Sequence, residues 1–253
     1  MQNEPLQNAG KDRFPQTRRS VIEAAKSIDA EERERAMEAL CAAYWRPVYK
    51  YIRLRWVRPV EDAQDLTQGF FVALIERDLL AKYYPSKSRL RTYLRMCVDS
   101  FVLNEHKSAG RVKRGGNLPH MALDFAGAEE ELGLKTIDPA SVPSPESLEE
   151  FFEKEWIRSL FALAVEDLRK LCELKERARS FSLFEAYDLS ENKDISYQQL
   201  AEEYGISATD VTNALAWARK EFRNIALERL REISGSNEEF QREAQAVFGW
   251  EIK

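Results

Sequence analysis

The sequence predicts an all-α protein made of two small helical domains. Glycine and proline are scarce, with 10 and 9 residues in a chain of 253, and no long stretch alternates between apolar and polar residues as half-buried strands do. Apolar residues recur instead at intervals of three and four, which is the spacing of one helix face. The apolar content of 44% is enough for a core, and the charged content of 32% is typical of a soluble, helix-rich protein.

The first part of the chain is predicted to fold as one helical domain. Residues 1–17 are polar and predicted to be disordered. The domain itself covers residues 18–117, with helices near its start and at about 47–58, 62–78 and 90–109. The stretch GRVKRGGNLP ends the last of these helices, because paired glycines and a proline cannot continue it.

An acidic linker, residues 118–147, leads to a second helical domain at residues 148–234. The linker contains DPASVPSPES, whose prolines and serines are typical of a flexible or loosely docked segment. Helices of the second domain are predicted to begin near residue 148 and to lie at about 180–187, 196–204 and 207–233. A short amphipathic tail, residues 235–253, is expected to dock against this second domain.

Composition predicts a cytoplasmic protein without metal or cofactor. The first twenty residues contain no apolar segment like a signal peptide, and runs such as Leu160–Val165 are too short to cross a bilayer. Cys41, Cys97 and Cys172 are few and widely spaced. They indicate buried thiols in a reducing compartment, not a disulfide framework or a metal site.

Charge is distributed unevenly along the chain. The net charge is −5, yet residues 77–114 carry ten Lys/Arg against three Asp/Glu. Residues 118–155 carry two Lys against ten Asp/Glu. The overall acidity therefore hides a basic region, and nucleic-acid binding depends on the local potential rather than on the mean charge.

The stretch SYQQLAEEYGISATDVTNALAWARKEF predicts a helix-turn-helix over residues 196–222. Ala201 allows close helix contact, Gly205 forms the turn, and Ser207 with Asp210 begins the second helix as a capping box. In a major groove, the side chains available to reach bases and phosphates would be Thr209, Thr212, Asn213, Arg219, Lys220 and Arg223. The alternative is a hairpin used only for packing. Residues 156–233 carry twelve Lys/Arg against fourteen Asp/Glu, so this domain alone should bind DNA weakly.

The stretch DAQDLTQGFF predicts a helix with one short polar face. At about 100° per residue the face is formed by Asp62, Gln64, Asp65 and Gln68. The following residues are apolar on all sides and should be buried. The carboxylates could simply stabilise the helix dipole, with Asp62 as the N-cap. That alternative does not explain why two glutamines keep the same face polar for a second turn.

A basic and aromatic segment follows over residues 77–116. It interleaves cations with tyrosines: Lys82, Tyr83, Tyr84, Lys87, Arg89, Arg91, Tyr93 and Arg95. Cations follow phosphates and aromatic faces accept unstacked bases, so this composition favours a single-strand-binding surface. Further cations continue the positive track at Lys107, Arg111, Lys113 and Arg114. The alternative is a solvated basic face with tyrosines at the edge of the core.

Together these segments resemble the sigma-70 family of bacterial RNA polymerase initiation factors, in particular the extracytoplasmic-function (ECF) type. DAQDLTQGFF is similar to the region 2.2 signature, and SRLRTYLRMCVDSFVLNEHKSAGRVKRGG to the region 2.3–2.4 helix. The helix-turn-helix is similar to region 4.2. The resemblance covers about residues 20–116 and 156–232. The sequence departs from the family pattern at Gln64, at Tyr93 and at the pair Ala216 and Trp217.

The resemblance implies core RNA polymerase and promoter DNA as partners, and leaves an anti-sigma factor open. The face of Asp62, Gln64, Asp65 and Gln68 would contact the clamp helices of the β′ subunit. The segment Tyr83–Arg95 would recognise and open the −10 element, with Ser86, Lys87, Ser88 and Arg89 near a flipped base. Region 4 would bind the β flap and place Thr209–Arg223 at the −35 element. The acidic linker would lie in the RNA exit path.

Three other classes of protein are alternatives to a sigma factor. An enzyme is not predicted, because only His106 and His120 are available and the sequence shows neither metal-ligand spacing nor a glycine-rich phosphate loop. A stand-alone helix-turn-helix regulator leaves DAQDLTQ and the basic aromatic helix unexplained. A sigma-like adaptor that binds polymerase without recognising promoters stays open, because the second domain is not basic overall.

Overall fold

The computed structural model describes residues 21–107 (without 26 and 28), 123–133, 144–190 and 195–249. Within these ranges the chain is helical and contains no strand, so the predicted all-α class is confirmed there. The helices are α1 (Val21–Ala25), α2 (Ala30–Arg55), α3 (Val60–Glu76), α4 (Leu90–Lys107), α5 (Phe125–Leu132), α6 (Pro145–Leu174), α7 (Ala178–Phe184), α8 (Tyr197–Tyr204), α9 (Ala208–Glu232) and α10 (Asn237–Phe248). A 3₁₀ turn at Leu79–Lys82 precedes α4, and a π-helical turn at Glu185–Leu189 follows α7. None of the helices in the described ranges is long and apolar enough to span a membrane. The predicted disordered start, residues 1–17, lies outside the described residues.

Helix α2 is a single helix of 26 residues with Pro47 in its interior. The prediction of a separate helix starting at residue 47 was therefore wrong. An interior proline removes one backbone hydrogen bond and costs about 3 kcal/mol. Tyr44, Val48 and Ile52 around it are almost completely buried, and packing of such a face outweighs a local propensity.

The first apolar cluster surrounds α2. It joins side chains of α2, α3 and α4 with the N-terminal half of α6 and with α10. Phe152 and Trp156 of α6 and Phe240 of α10 are each at most 2% exposed. The first half of α6 and the tail helix are therefore part of the same core as the first predicted domain.

The second apolar cluster is formed by α7, α8, α9 and the C-terminal half of α6. Leu168 and Cys172 of α6 are fully buried there against Leu200 and Leu215. Helix α6 is 30 residues long, which corresponds to about 45 Å. One continuous helix thus carries parts of both clusters.

The hairpin of α8 and α9 has the local features that the sequence predicted. Gly205 has a φ of +62°, the left-handed conformation that favours glycine. The Asp210 N–H donates to Ser207 Oγ at 3.1 Å, and the Ser207 N–H donates to Asp210 Oδ2 at 3.2 Å, which completes the predicted capping box. Ala201 and Val211 are buried on the facing sides of the two helices.

Part of the predicted linker is the helix α5, which is docked on α2. Its Phe125 ring meets the Trp45 ring edge-on at 5.4 Å between centroids, and it lies 4.9 Å from the Tyr49 ring. Helix α6 begins at Pro145 behind the N-cap Ser144. The other linker residues, 118–122 and 134–143, lie outside the described ranges.

The tail helix α10 contacts more of the molecule than predicted. It packs against α9, where the Arg231 guanidinium lies 4.2 Å from the centre of the Phe240 ring. It also covers the segment that leads into α4, through Glu239 and Glu243. The expected contact of the tail with the second helical domain is therefore present, and the tail also contacts the first domain, where its buried carboxylates find their partners.

Candidate functional site

The polar face of α3 is open to solvent over two helical turns. Asp62, Asp65 and Gln68 are exposed and Gln64 is half-buried. On the opposite side Ala63 and Phe70 are fully buried. The structure therefore brings the four predicted residues together on one accessible face, as the helical spacing required.

The start of α3 differs from the alternative in which Asp62 is the N-cap. The helix begins at Val60, and Pro59 occupies the N-cap position without a side-chain hydrogen bond. Asp62 lies in the first turn, where a carboxylate is favoured by the helix dipole. The Arg58 guanidinium lies 3.9 Å from its Oδ2. The dipole accounts for Asp62, while Asp65 and Gln68 extend the polar face beyond the first turn.

Residues of the basic aromatic segment differ widely in exposure. The exposed ones are Lys82, Tyr84, Ser86 and Lys87; the half-buried ones are Ser88, Arg89, Tyr93 and Arg95; the buried ones are Tyr83 and Arg91. The Tyr84 ring is 56% exposed, and the Lys87 ammonium lies 4.9 Å from its centre. This pair offers an open ring and a cation to a ligand. Arg111, Lys113 and Arg114, which would continue the positive track, lie outside the described residues.

Tyr83 is turned into the protein. Its hydroxyl donates to Glu239 Oε2 at 2.7 Å and lies 3.1 Å from the Ser88 carbonyl oxygen. Its ring lies 5.3 Å from that of Tyr93, whose hydroxyl donates to the Leu79 carbonyl at 2.6 Å. Burial, followed by the Glu239 hydrogen bond, raises the pKa of Tyr83 far above its ordinary value. In this arrangement neither hydroxyl faces solvent as a free donor.

The arginines of the segment are paired with carboxylates from α6 and α10. Arg91 is 4% exposed; its guanidinium contacts Glu243, lies 3.3 Å from Glu153 and stacks 4.8 Å from the centre of the Trp156 ring. Arg89 Nε lies 3.6 Å from Glu243 Oε1. A further pair joins Arg95 to Glu149 at 3.1 Å. The predicted phosphate contacts at these arginines are thus occupied by the protein's own carboxylates.

Helix α9 presents most of its predicted DNA-contacting residues to solvent. Those exposed are Thr209, Thr212, Asn213, Lys220 and Arg223. Arg219 is the exception, since its Nη2 lies 3.0 Å from Asp188 Oδ1 and its Nη1 donates to the Tyr197 hydroxyl at 3.1 Å. Trp217 is half-buried, with the Arg177 guanidinium 4.6 Å from its ring centre. The N-terminal half of α9 therefore offers an open polar face.

Two residues of the site were not identified from the sequence: Glu239 and Glu243 of α10. Both are at most 3% exposed, although carboxylates are rarely buried unless they are paired. Their partners lie about 150 positions earlier in the chain. The only signal in the sequence is an acidic, amphipathic helix, which does not specify a partner.

The described part of the chain contains no group of His, Cys, Asp and Glu side chains that could hold a metal ion. All three cysteines are free thiols; Cys41 and Cys172 are buried and Cys97 is half-buried. Burial, with a smaller contribution from Glu38, raises the pKa of Cys41 to about 12. This thiol therefore stays protonated at neutral pH.

Comparison with known proteins identifies no relative: no family model, no curated protein and no solved structure matches this chain. Within its described residues the protein is all-α and has an open acidic and amide-bearing face on α3. It also has a helical hairpin whose second helix, α9, presents an open polar face, and a basic segment covered by the tail helix α10.

Proposed function

We propose that this protein is a sigma factor of the ECF type, which binds core RNA polymerase and directs promoter recognition and melting. The observation that carries the proposal is the face of Asp62, Gln64, Asp65 and Gln68. It stays open to solvent, while the opposite side of α3 is sealed in the core. A helix stabilised only by its dipole needs no polar residues beyond the first turn.

The open face of α3 suits a basic protein surface such as the β′ clamp helices. Its two carboxylates provide charge complementarity, which guides association and fixes the orientation of a partner. Gln64 and Gln68 add amide donors and acceptors without further charge. A polymerase partner would place the protein in the cytoplasm.

Promoter binding would use α9 and the segment Tyr83–Arg95. Thr209, Thr212 and Asn213 lie near the start of α9, where a recognition helix reaches base edges. Lys220 and Arg223 lie further along the helix and would reach phosphates. The exposed Tyr84 ring offers a stacking surface for an unpaired base at the −10 element.

A second candidate function is a polymerase-binding adaptor that does not open promoters. The specific observation in its favour is that Tyr83 and Arg91 are buried and that Arg219 is paired with Asp188. An adaptor would keep the α3 contact and leave these groups in their intramolecular pairs. Binding to core polymerase is common to both candidates, and initiation of transcription separates them.

The test combines binding and transcription with purified core polymerase. The full chain is titrated into labelled core enzyme, and transcription is then assayed on a library of genomic promoter fragments. Start sites that depend on the chain support the sigma factor. Binding without initiation supports the adaptor, and a footprint on duplex DNA without polymerase supports a stand-alone regulator.

The substitution Asp65→Arg tests the docking face directly. Reversing a charge at a contact should weaken core binding by about tenfold or more, equivalent to about 1.4 kcal/mol. The matched control is Glu38→Arg, the same charge change at an exposed position of α2. Circular dichroism should be unchanged for both variants. Equal core affinity of Asp65→Arg and the unsubstituted protein would contradict the assignment of α3 as the docking face.

A further inference from the structure

The underside of α10 is an acidic surface placed against the basic segment that leads into α4. Glu239 accepts hydrogen bonds from the Tyr83 hydroxyl at 2.7 Å and from the Leu90 N–H at 2.5 Å. It also accepts from the Gly235 N–H at 2.7 Å, which fastens α10 to the turn before it. One carboxylate thus collects donors from both ends of the Tyr83–Leu90 loop.

Glu243 repeats this arrangement one helical turn later. Its carboxylate is hydrogen-bonded to the Arg91 guanidinium. The Arg89 Nε lies 3.6 Å from Glu243 Oε1. Next to it Arg242 donates to the Pro85 carbonyl at 3.3 Å. Every one of these contacts is to a residue of the loop or of the first turn of α4.

The turn before α10 and the Tyr83–Leu90 loop lie in close contact. A Cβ added to Gly235 would lie 2.6 Å from the Tyr83 ring and 3.1 Å from Pro85. Under α10, Tyr83, Leu90 and Arg91 are each at most 4% exposed. A ligand therefore cannot reach Tyr83, Arg91 or the Leu90 N–H while α10 is in place.

The groups that α10 satisfies are those that bind a nucleic-acid backbone. Arginines, a tyrosine hydroxyl and the N–H at the start of a helix are the usual donors to phosphate oxygens. Glu239 and Glu243, one turn apart on α10, present negative charge to these donors, as the phosphates of a nucleic acid would. Burial raises the pKa of Glu243, although Arg91 and Arg89 oppose this, so the docked position carries a desolvation cost that an exposed partner would not have.

We infer that α10 is an internal competitor of single-stranded DNA: Glu239 and Glu243 occupy the donors around Tyr83–Arg91, and the segment binds DNA when α10 is displaced. The inference rests on the proposed function, because it takes this segment to be the DNA-binding one. It deepens that proposal by adding a closed state, in which polymerase docking through α3 and DNA binding by the loop are separable.

The test uses the full chain with the double substitution Glu239→Gln and Glu243→Gln, which keeps the side-chain shape and removes both charges. Its matched control is Glu228→Gln with Glu238→Gln, which removes two charges at exposed positions of α9 and α10. Hydrogen exchange of the peptide that covers residues 83–91 reports release of the loop. Fluorescence anisotropy with a labelled single-stranded oligonucleotide of about 15 nucleotides reports binding.

The expected result is faster exchange at residues 83–91 and an oligonucleotide affinity about tenfold higher in the Glu239/Glu243 variant. The control loses the same number of charges but keeps Glu239 and Glu243. It should therefore match the unsubstituted protein in both measurements. Adding Arg89→Ala to the Glu239/Glu243 variant should remove most of the gain. If the double variant fails to fold, truncation before Ser236 is measured in the same two assays with the same expectations.

Two results would overturn the inference, and they differ in what they say of the proposed function. Unchanged exchange at residues 83–91 would show that the carboxylates do not hold the loop, and polymerase binding through α3 would be unaffected. Faster exchange without a gain in oligonucleotide affinity would show that the released loop is not a DNA-binding surface. That second result would also remove the −10 contact from the proposed function.

Discussion

Lys50 is a buried cation in the middle of α2. Its side chain is 2% exposed, and its ammonium lies 2.6 Å from carboxylate oxygens of both Glu131 and Glu155. Glu155 is itself buried and also contacts Arg158. Charges taken out of water are stable only when they are paired and hydrogen-bonded. This small network joins α2, α5 and α6 at one point.

Replacing Lys50 by methionine should destabilise the fold strongly. The substitution keeps an unbranched side chain one atom shorter but leaves Glu155 buried without its main partner, and breaking a buried pair costs about 3–5 kcal/mol. Urea denaturation measures the change in the free energy of unfolding. The double variant Lys50→Met with Glu155→Leu should recover most of the loss, since two apolar groups need no partner. A loss below about 1 kcal/mol for Lys50→Met would instead indicate a water-exposed pair.

For single residues, the sequence predicted the exposed side chains better than the buried ones. Asp65, Gln68 and Asn213 were expected on open helix faces, and they are exposed. Tyr83 and Arg91 were expected in a basic surface, yet both are buried. A cation within a basic run looks solvated unless the distant carboxylate that neutralises it is known.

Among the elements, α5 shows how a segment of linker composition becomes ordered. Glu129 accepts a hydrogen bond from the Tyr49 hydroxyl at 2.8 Å and pairs with Arg53 through both carboxylate oxygens, Oε1 at 2.5 Å and Oε2 at 2.8 Å. Phe125 adds the aromatic contact to Trp45. The acidic charge of the linker is therefore matched by cations of α2, and the helix has both an apolar and an ionic anchor.

Acid should release α5 from α2. Burial acts to raise the pKa of Glu129, but the hydrogen bonds from Arg53 and Tyr49 outweigh it, so the net shift is downward from an ordinary value of 4.5. A carboxylate with a lowered pKa stabilises the docked state above its ordinary pKa, and this stabilisation is lost as the pH falls through the docked value. Amide NMR shifts of Gly127 and Ala128, followed from about pH 7 to about pH 3, should show a step below the ordinary pKa.

The control for this step is Glu129→Gln, which cannot titrate. In that variant the acid-induced change at Gly127 and Ala128 should be much smaller. A midpoint above the ordinary carboxylate value in the unsubstituted protein would contradict the downward shift, and with it the view that Arg53 holds the ionised form of Glu129.

Across the whole molecule, α6 contributes buried residues to both apolar clusters, as α9 does through Leu230 and Leu215. Trp156 and Leu160 are buried in the first cluster, and Leu168 and Cys172 in the second. Because a continuous helix transmits the loss of order along its length, we expect the described helices to unfold in one cooperative transition. Ala162 lies between the two sets and is exposed, so a substitution there removes no packing.

Ala162→Pro should uncouple the two clusters. An interior proline breaks the helix at a cost of about 3 kcal/mol or more, whereas the control Ala162→Gly should cost about 1 kcal/mol. Urea titration followed by hydrogen exchange of peptides from α3 and from α8 measures each cluster separately. We expect two separated transitions for the proline variant and one for the glycine variant. Coincident transitions in Ala162→Pro would show that α9 and α10 couple the clusters without α6.

The sequence by itself determined the helical class, the turn at Gly205, the capping box at Ser207 and the polar face of α3. These features depend on periodicity and on contacts within a few residues. The tertiary structure alone decided that α2 continues through Pro47 and that α10 covers the loop at Tyr83–Arg91. Such outcomes depend on which distant surfaces exclude water together and on which buried charges meet, and neither is contained in the local spacing of residues.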